Sequence, residues 1–241
     1  MYNLIDFRKF FKERYYADEW IHQSRKQFLN NQPFPHIVID NFLPEEIANA
    51  ALDAYNEYEN DEWWEFRNEN EIKLASKDEI LIPQAIRSIL HELNSGFVLN
   101  WLEYLTNVPG LVPDTHLYGG GIHRIESGGK LAIHQDFNIH NRTKLYRKLN
   151  LLLYLNKDWK DSYGGDLELW NRDKTKCEVK ISPIFNRCVI FNTSTGYSWH
   201  GHPEPLNTPL GISRKSLALY YYNVGEEAAM LALMQEKSTI F

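Results

Sequence analysis

Residues 130–137 have the sequence KLAIHQDF. They belong to a series of short segments of similar composition, and this series indicates the fold. These segments are rich in β-branched and aromatic residues, and glycine, asparagine, aspartate or proline separates one from the next. The others are THLYGGGIHRIE (115–126), KLNLLLYLN (148–156), DLELW (166–170), CVIFN (188–192) and KSLALYYYN (215–223). The pattern predicts an antiparallel β structure in the second half of the chain, of the sandwich or jelly-roll type.

The first half of the chain has the periodicity of helices. Residues 4–29 mix apolar and charged positions without glycine or proline, which predicts one or two amphipathic helices. FPHIVIDNFLPEE (34–46) predicts a short strand, a turn and the start of a helix. Apolar residues recur at helical spacing over residues 83–106, and Ser95 and Gly96 divide that stretch into two predicted helices.

The composition is that of a soluble globular protein, with 43% hydrophobic and 24% charged residues among 241. This length suits one catalytic domain with a sizeable core. The formal net charge of -6 gives no electrostatic reason to expect a nucleic acid or an anionic membrane as a partner. No segment approaches the ~20 apolar residues that span a bilayer, and no signal peptide is recognisable. We therefore expect a cytoplasmic protein, in which Cys177 and Cys188 are reduced.

Two residue types that bind metals, histidine and aspartate, occur in or near the predicted strands. His134 and Asp136 lie two residues apart, so in a strand they would project to the same face. The segment SWHGHP (198–203) offers a further ligand, either His200 or His202. Two histidines and one carboxylate on one face of an iron leave three positions open, as in the facial triad of non-haem Fe(II) oxygenases. An HxD pair alone is a weak signal, and the distal histidine strengthens it.

A basic residue follows the distal histidine. Arg214 and Ser216 are again two residues apart at the start of a strongly β-like segment, so they would share a face. A buried guanidinium binds a carboxylate bidentately, and a hydroxyl beside it can add a hydrogen bond. The pair could therefore hold the far carboxylate of a dicarboxylic co-substrate. An ordinary surface arginine is the alternative interpretation.

The second half of the chain resembles the 2-oxoglutarate/Fe(II) oxygenase superfamily, and within it the prolyl 4-hydroxylase-like branch. Five motifs stand in the order and approximate spacing of that branch: HQD (134–136), YLNKDW (154–159), GGDLELW (164–170), HGHP (200–203) and RKSLALYYY (214–222). The resemblance implies an α+β fold, a double-stranded β-helix (jelly roll) flanked by N-terminal helices. The expected division is an N-terminal helical extension (1–32), an oxygenase domain (33–223) with its β-helix core at about 116–223, and a C-terminal helical tail (224–241).

The resemblance also implies the cofactors and their ligands. Fe(II) is expected at His134, Asp136 and His200, with 2-oxoglutarate chelating the iron through its keto acid end. Arg214 matches the basic residue that pairs with the distal carboxylate of 2-oxoglutarate. O2 is the second co-substrate, and ascorbate is a further candidate. Ser216 is expected beside Arg214 in the co-substrate site.

Two positions leave alternatives open. Tyr154 matches a tyrosine that hydrogen-bonds the distal carboxylate in relatives, but a packed aromatic of the barrel is an equal interpretation. The closeness of Pro203 favours His200 over His202 as the distal ligand. Relatives often have a tyrosine about ten residues before the HxD histidine, where Arg124 stands in this chain. The substrate pocket is therefore not expected to be copied from relatives.

The implied reaction is hydroxylation of an unactivated C–H bond with release of succinate and CO2. Asp136 supports hydroxylation, because related halogenases replace this carboxylate. The expected substrate is peptidyl or a small molecule: a prolyl residue, a proline-like amino acid or another small polar compound. Alternatives are a hydroxylase of a sugar or carrier-bound metabolite, a catalytically silent 2-oxoglutarate-binding jelly-roll module, and a cupin-like metal enzyme that does not use 2-oxoglutarate.

Further segments admit two interpretations each. Trp63 and Trp64 belong either to a mobile substrate-facing loop or to an anchor that packs the helices on the barrel. The basic segment HNRTKLYRK (140–148) is either a lid that contacts an acidic substrate or a solvated loop. Glycines 119–121 indicate a β-bulge or a close backbone approach, and residues 225–237 could form a final helix.

Overall fold

The strands form one curled sheet, and side chains along each strand alternate between its two faces. Helices cover the outer face, and the inner face lines a cavity. The computed structural model describes residues 10–58 and 63–225. The strands are β1 (His36–Ile39), β2 (Trp63–Arg67), β3 (Glu71–Ser76), β4 (Val112–Pro113), β5 (Gly121–Ile125), β6 (Lys130–His134), β7 (Tyr146–Tyr154), β8 (Leu167–Trp170), β9 (Cys177–Ile181), β10 (Arg187–Asn192), β11 (His200–His202) and β12 (Arg214–Asn223).

These strands form one antiparallel sheet within the described part of the chain. Its order is β1-β10-β7-β12-β5-β3-β6-β11-β8-β9, and β2 and β4 pair with β3 and β12 at its sides. The sheet curls into a half-barrel, and its strand order requires several crossovers between its two halves. The predicted α+β jelly roll with N-terminal helices is confirmed.

The helices are α1 (Asp18–Asn30), α2 (Glu45–Asn56), α3 (Gln84–Leu93) and α4 (Gly96–Thr106). The predicted break between α3 and α4 is confirmed, since the Ser95 side chain accepts a hydrogen bond from the Val98 N–H and so caps α4. In the described residues no helix has the length and apolar character needed to cross a membrane. The N-terminal stretch 4–29, predicted to be helical, contains a 3-10 helix at Glu13–Tyr16 and most of α1, and its residues 4–9 lie outside the described residues. The final helix predicted over residues 225–237 lies outside them from residue 226 onward.

The core between sheet and helices follows from the two-residue period of the strands. Leu149, Leu151 and Leu153 of β7 are fully buried against the helical layer. Burial of each such side chain contributes about 1.5–3 kcal/mol to stability. The residues between them, Asn150 and Leu152, line the cavity on the inner face. The same strands therefore build the core and the candidate site.

Strand β3 is inserted between two strands that follow each other in sequence. Glu71 and Ile72 of β3 pair with β6, whereas Leu74 and Ala75 pair with β5. The β2–β3 hairpin was not predicted from the sequence. It places a strand from the first half of the chain in the wall of the β-helix.

Trp63 and Trp64 differ in environment within this hairpin. The Trp63 ring is buried, and its centroid lies 4.7 Å from that of Tyr58 and 6.0 Å from that of Tyr55 of α2. Trp64 is exposed. The anchor interpretation therefore holds for Trp63.

Cys177 and Cys188 are both free thiols.

Candidate metal and co-substrate site

Two histidines meet across neighbouring strands on the inner face of the sheet. His134 ends β6, His200 begins β11, and the two residues are direct partners in the antiparallel ladder. Their ring centroids are 4.5 Å apart. One ligand atom each from His134, Asp136 and His200 lies within 4.8 Å of the others, so the three side chains could hold a metal ion. His202 is not part of this group.

Asp136 reaches the histidines from beyond the strand. Because β6 ends at His134, strand alternation is not the reason that His134 and Asp136 share a face, and that part of the prediction is wrong. Asp136 instead lies in an irregular segment, where its Oδ2 accepts a hydrogen bond from Asn150 Nδ2 at 2.8 Å. An Arg147 Nη lies 3.3 Å from the same oxygen. These two residues orient the carboxylate toward the histidines.

Hydrogen bonds to the backbone set the orientation of both histidines. His134 Nδ1 lies 2.8 Å from the Ala132 carbonyl, and His200 Nδ1 lies 2.9 Å from the Ser198 carbonyl. A carbonyl only accepts, so each neutral imidazole carries its proton on Nδ1. The Nε2 atoms, which face Asp136 at 3.7 and 3.5 Å, are then free to bind a metal.

Charges in the site favour the metal-binding protonation states. Burial alone would raise the pKa of Asp136, but Arg147 and the two histidines hold it below its ordinary value. Burial lowers the pKa of His200 to about 4, although Asp136 partly opposes this effect. Near neutral pH the group therefore offers one carboxylate and a neutral His200. Two imidazoles and a carboxylate are the donors of the Fe(II) facial triad, so the residues fit that metal.

Arg147 is a site residue that the sequence analysis missed. Its guanidinium is buried, lies 3.4 Å from the Tyr220 ring centroid and donates from Nε to Asn150 Oδ1 at 2.8 Å. It belongs to the basic segment 140–148, which was interpreted as a lid or a solvated loop. The exposed Arg142 fits the loop interpretation, whereas Arg147 does not.

Gly201 permits the close approach of β11 to β6. A Cβ atom built on Gly201 would lie 2.7 Å from the carbonyl oxygens of both Leu131 and Ala132. No side chain fits at that distance without displacing the β6 backbone. Glycine between His200 and His202 is thus a requirement of the strand packing that brings the histidines together.

Arg214 and Tyr154 form a second buried cluster on the inner face. Arg214 Nε donates to the Gly165 carbonyl at 2.8 Å, and an Nη donates to the Tyr154 hydroxyl at 3.1 Å. Both side chains are buried, and burial raises the pKa of Tyr154 so that the hydroxyl keeps its proton. Two of the five guanidinium N–H groups are thereby accounted for. Arg214 is therefore not a surface arginine, and Tyr154 both packs in the barrel and orients the guanidinium.

One cavity of about 90 Å³ joins the two clusters. Its lining includes members of both, and in addition polar residues that the sequence analysis did not assign to the site. The lining residues with polar side chains are Lys73, His123, His134, Asp136, Asn150, His200, His202, Arg214, Ser216 and Tyr220. Ser216 thus faces the cavity with Arg214, as their spacing predicts.

The inward residue of β5 is His123 and not Arg124. Arg124 pairs with Leu74 of β3 and forms an ion pair with Glu126, whereas His123 and Ile125 line the cavity. Burial and then the charge of Lys73 lower the pKa of His123 to about 3. The position at which relatives often have a tyrosine therefore does not contribute a cavity side chain in this chain.

Comparison with known proteins identifies relatives of this architecture. Residues 120–222 match the model of the 2OG-Fe(II) oxygenase superfamily. A Pseudomonas putida prolyl-4-hydroxylase is similar in structure at 17% identity and a TM-score of 0.57, over 84% of this chain and 100% of that one. A Trichoplax adhaerens prolyl hydroxylase, solved with a hypoxia inducible factor peptide fragment, has 18% identity, a TM-score of 0.58 and coverages of 92% and 98%. A Phytophthora capsici prolyl 4-hydroxylase has 18% identity, a TM-score of 0.56 and coverages of 89% and 73%.

Proposed function

We propose that this chain, whose residues 120–222 match the model of the 2OG-Fe(II) oxygenase superfamily, is such an oxygenase, which binds Fe(II) through His134, Asp136 and His200 and hydroxylates an unactivated C–H bond. The observation that carries the proposal is one cavity lined both by a convergent His-Asp-His group and by a buried arginine. A cupin-like enzyme without 2-oxoglutarate would have no evident use for buried Arg214 in that cavity.

The co-substrate is proposed to lie between the two clusters. Its keto acid end would meet the metal, and its far carboxylate would pair with the remaining N–H groups of Arg214, with Ser216 alongside. Tyr154 and the Gly165 carbonyl hold the guanidinium in place before the ligand arrives. Such preorganisation reduces the entropy that binding must otherwise cost.

Iron, 2-oxoglutarate and O2 together supply the oxidising power for hydroxylation, with succinate and CO2 as products. The protein positions the metal ligands, neutralises the co-substrate's charge and limits access of water. Arg147 and Asn150 fix the carboxylate of Asp136, and the backbone carbonyls of Ala132 and Ser198 fix the histidine rings.

A prolyl residue or a proline-like small molecule is the proposed substrate. Exposed apolar side chains lie beside the metal ligands, since Phe137 directly follows Asp136 and its ring centroid is 5.6 Å from that of Tyr118. Ile139 extends this exposed apolar rim. A pyrrolidine ring could pack against these side chains. The peptide in the Trichoplax structure gives a peptidyl substrate further support as a proposal.

Anaerobic titration of the Fe(II)-loaded protein with 2-oxoglutarate tests the site. We expect a visible metal-to-ligand charge-transfer band that is lost in His200→Ala and retained in His202→Ala. Arg214→Ala should need much more 2-oxoglutarate to develop the same band. The absence of any band in the wild-type protein would contradict the proposal and favour a jelly-roll binding module.

Substrate screening tests the reaction. Aerobic incubation with prolyl peptides, free proline and sugars should yield succinate, with a mass gain of one oxygen atom in the true substrate. Hydroxylated sugar with unmodified prolyl compounds would favour the alternative substrate class. Binding of 2-oxoglutarate without succinate under any condition would favour a catalytically silent module.

A further inference from the structure

A pocket of about 440 Å³ lies between the 3-10 helix, α1 and α4. These helices belong to the layer that covers the outer face of the sheet, whereas the metal group lies on the inner face. In the described part of the chain, no residue lines both this pocket and the inner-face cavity. The proposed oxygenase activity therefore leaves the pocket without a role.

Aromatic side chains dominate the lining of this pocket. Tyr16 and Phe97 come from different helices, and their ring centroids are 5.3 Å apart. Tyr15 and Trp101 make a second such pair at 5.9 Å. Tyr16 and Phe97 are each 47% exposed, so solvent reaches both residues. Among the described residues, Ile21 is the one aliphatic side chain in the lining, so the pocket offers a ligand aromatic rather than aliphatic surface.

The formal charge of the lining is negative. Asp18 contributes a carboxylate, and no lysine or arginine of the described residues lines the pocket. Glu92 adds to the negative potential, since burial and then the charge of Glu92 raise the pKa of Tyr16. Arg14, the nearest arginine along the chain, donates to backbone carbonyls outside the pocket. The pocket thus combines aromatic rings with a carboxylate that is not paired by a lysine or arginine of its lining.

Such a lining favours a cationic ligand without N–H groups. The face of an aromatic ring attracts a cation that lies within about 6 Å of the ring centroid. This aromatic cluster already holds one cation, because the guanidinium carbon of Arg14 lies 4.9 Å from the Tyr15 ring centroid. A primary ammonium would need acceptors for its three N–H donors, whereas a quaternary ammonium has no donors to satisfy. One carboxylate and several rings therefore suit a quaternary ammonium best.

We propose that this pocket binds a small quaternary ammonium compound. Asp18 balances the charge of the ligand, and Tyr16, Phe97 and Trp101 supply the aromatic surface. The volume lies within the range of small-molecule sites, about 300–1,000 Å³. The inference concerns the helical layer alone and does not depend on iron, 2-oxoglutarate or the proposed reaction.

Choline and an uncharged isostere test the proposal. 3,3-Dimethylbutan-1-ol has the shape of choline, but a carbon atom replaces the charged nitrogen. Binding of each compound to the whole chain is followed by two-dimensional proton–nitrogen NMR at constant ionic strength, for wild type, Phe97→Leu, Phe97→Tyr and Asp18→Asn. Phe66→Leu, at an exposed phenylalanine, and Asp173→Asn, at an exposed aspartate, are the matched controls. The same spectra report whether each variant is folded.

Choline should bind wild type saturably, and the uncharged isostere should bind about fivefold or more weakly. Phe97→Leu and Asp18→Asn should each weaken choline binding by about fivefold, whereas the ring-retaining Phe97→Tyr and both controls should match wild type. Equal affinity for the two compounds would show that the pocket recognises apolar shape alone and would overturn the proposal. The absence of saturable choline binding in wild type would overturn it too. So would a choline affinity in Phe97→Leu and Asp18→Asn that equals that of the controls.

Discussion

The guanidinium of Arg147 lies 3.3 Å from the carboxylate of Asp136, because a β-bulge between β7 and β12 turns the Arg147 side chain toward the inner face of the sheet. On β12, Tyr220 pairs with Asn150 and Tyr222 pairs with Arg147, so three steps on β7 oppose two on β12. Arg147 and Asn150 thereby face the same side, although strict alternation would separate them. Both then reach Asp136.

Replacing Arg147 should weaken the metal site without removing a ligand. Arg147→Gln leaves Asp136 with only Asn150 to orient it, and loss of such a partner typically reduces metal affinity by about 10- to 100-fold. Competition with a metal-binding dye measures the change. Arg142→Gln, an exposed arginine in the same basic segment, should behave as wild type. Equal metal affinity in the two variants would contradict the role given to Arg147.

Gly201→Ala should damage both the fold and the metal group. The added methyl would meet two β6 carbonyl oxygens at 2.7 Å, which forces β11 away from β6 and separates His200 from His134. We expect a lower melting temperature and loss of stoichiometric Fe(II). Gly96→Ala is a suitable control, because a Cβ at that helix position meets nothing within 4 Å. Full metal occupancy in Gly201→Ala would show that metal binding does not need the close approach of β11 to β6.

Tyr154→Phe should affect the co-substrate more than the metal. The change removes the hydroxyl that accepts from Arg214 and leaves a buried N–H unpaired, which costs about 1–3 kcal/mol. The apparent KM for 2-oxoglutarate is expected to rise about tenfold, with Fe(II) affinity unchanged. Tyr104→Phe, at an exposed tyrosine, is the control. An unchanged KM would leave Tyr154 as a packing residue only.

Acid should destabilise the metal-free protein before its carboxylates titrate. The pKa of His123 is about 3 in the folded protein against an ordinary value of 6.5, so between these values the unfolded chain binds the extra proton. The free energy of unfolding therefore falls as the pH drops through this window, by at most about 1.4 kcal/mol per pH unit for one such group. Urea unfolding at several pH values measures the slope, which should be shallower in His123→Gln than in His116→Gln. Parallel slopes would contradict the buried neutral state.

Phe137→Ala should separate substrate recognition from the iron chemistry. The ring belongs to the exposed rim next to Asp136, so its loss should raise KM for the hydroxylated substrate by about tenfold. Binding of 2-oxoglutarate to the Fe(II) protein should remain unchanged. Leu210→Ala, at a fully exposed leucine, serves as the comparison. Loss of 2-oxoglutarate binding in Phe137→Ala would mean that the ring supports the metal group instead.

Local patterns were sufficient to predict the helices and most strands. Ser95 supplies both a break in the apolar period and a cap, which is why α3 and α4 divide where expected. Motif order singled out His134, His200 and Arg214, and the structure brings all three to one cavity.

What the sequence did not reveal depends on long-range pairing. A one-residue shift moves a strand residue to the other face of the sheet. Arg124 was aligned with the tyrosine of relatives, so the sequence analysis missed that His123 is the residue whose side chain lines the cavity. The bulge opposite Arg147 depends on β12, about seventy positions away in the chain. Asp136 is held by Asn150 rather than by its own strand. No local period encodes these partnerships.

The inserted strand β3 also bears on how the protein could be divided by engineering. Residues 120–222 look like a transferable cassette, yet β5 and β6 each hydrogen-bond to β3, which lies outside that interval. A chimaera that exchanges only this interval would carry two unpaired strand edges facing a gap, and such edges promote aggregation. Residues 63–76 therefore have to be transferred together with residues 120–222 if β5 and β6 are to keep their hydrogen-bonded neighbour.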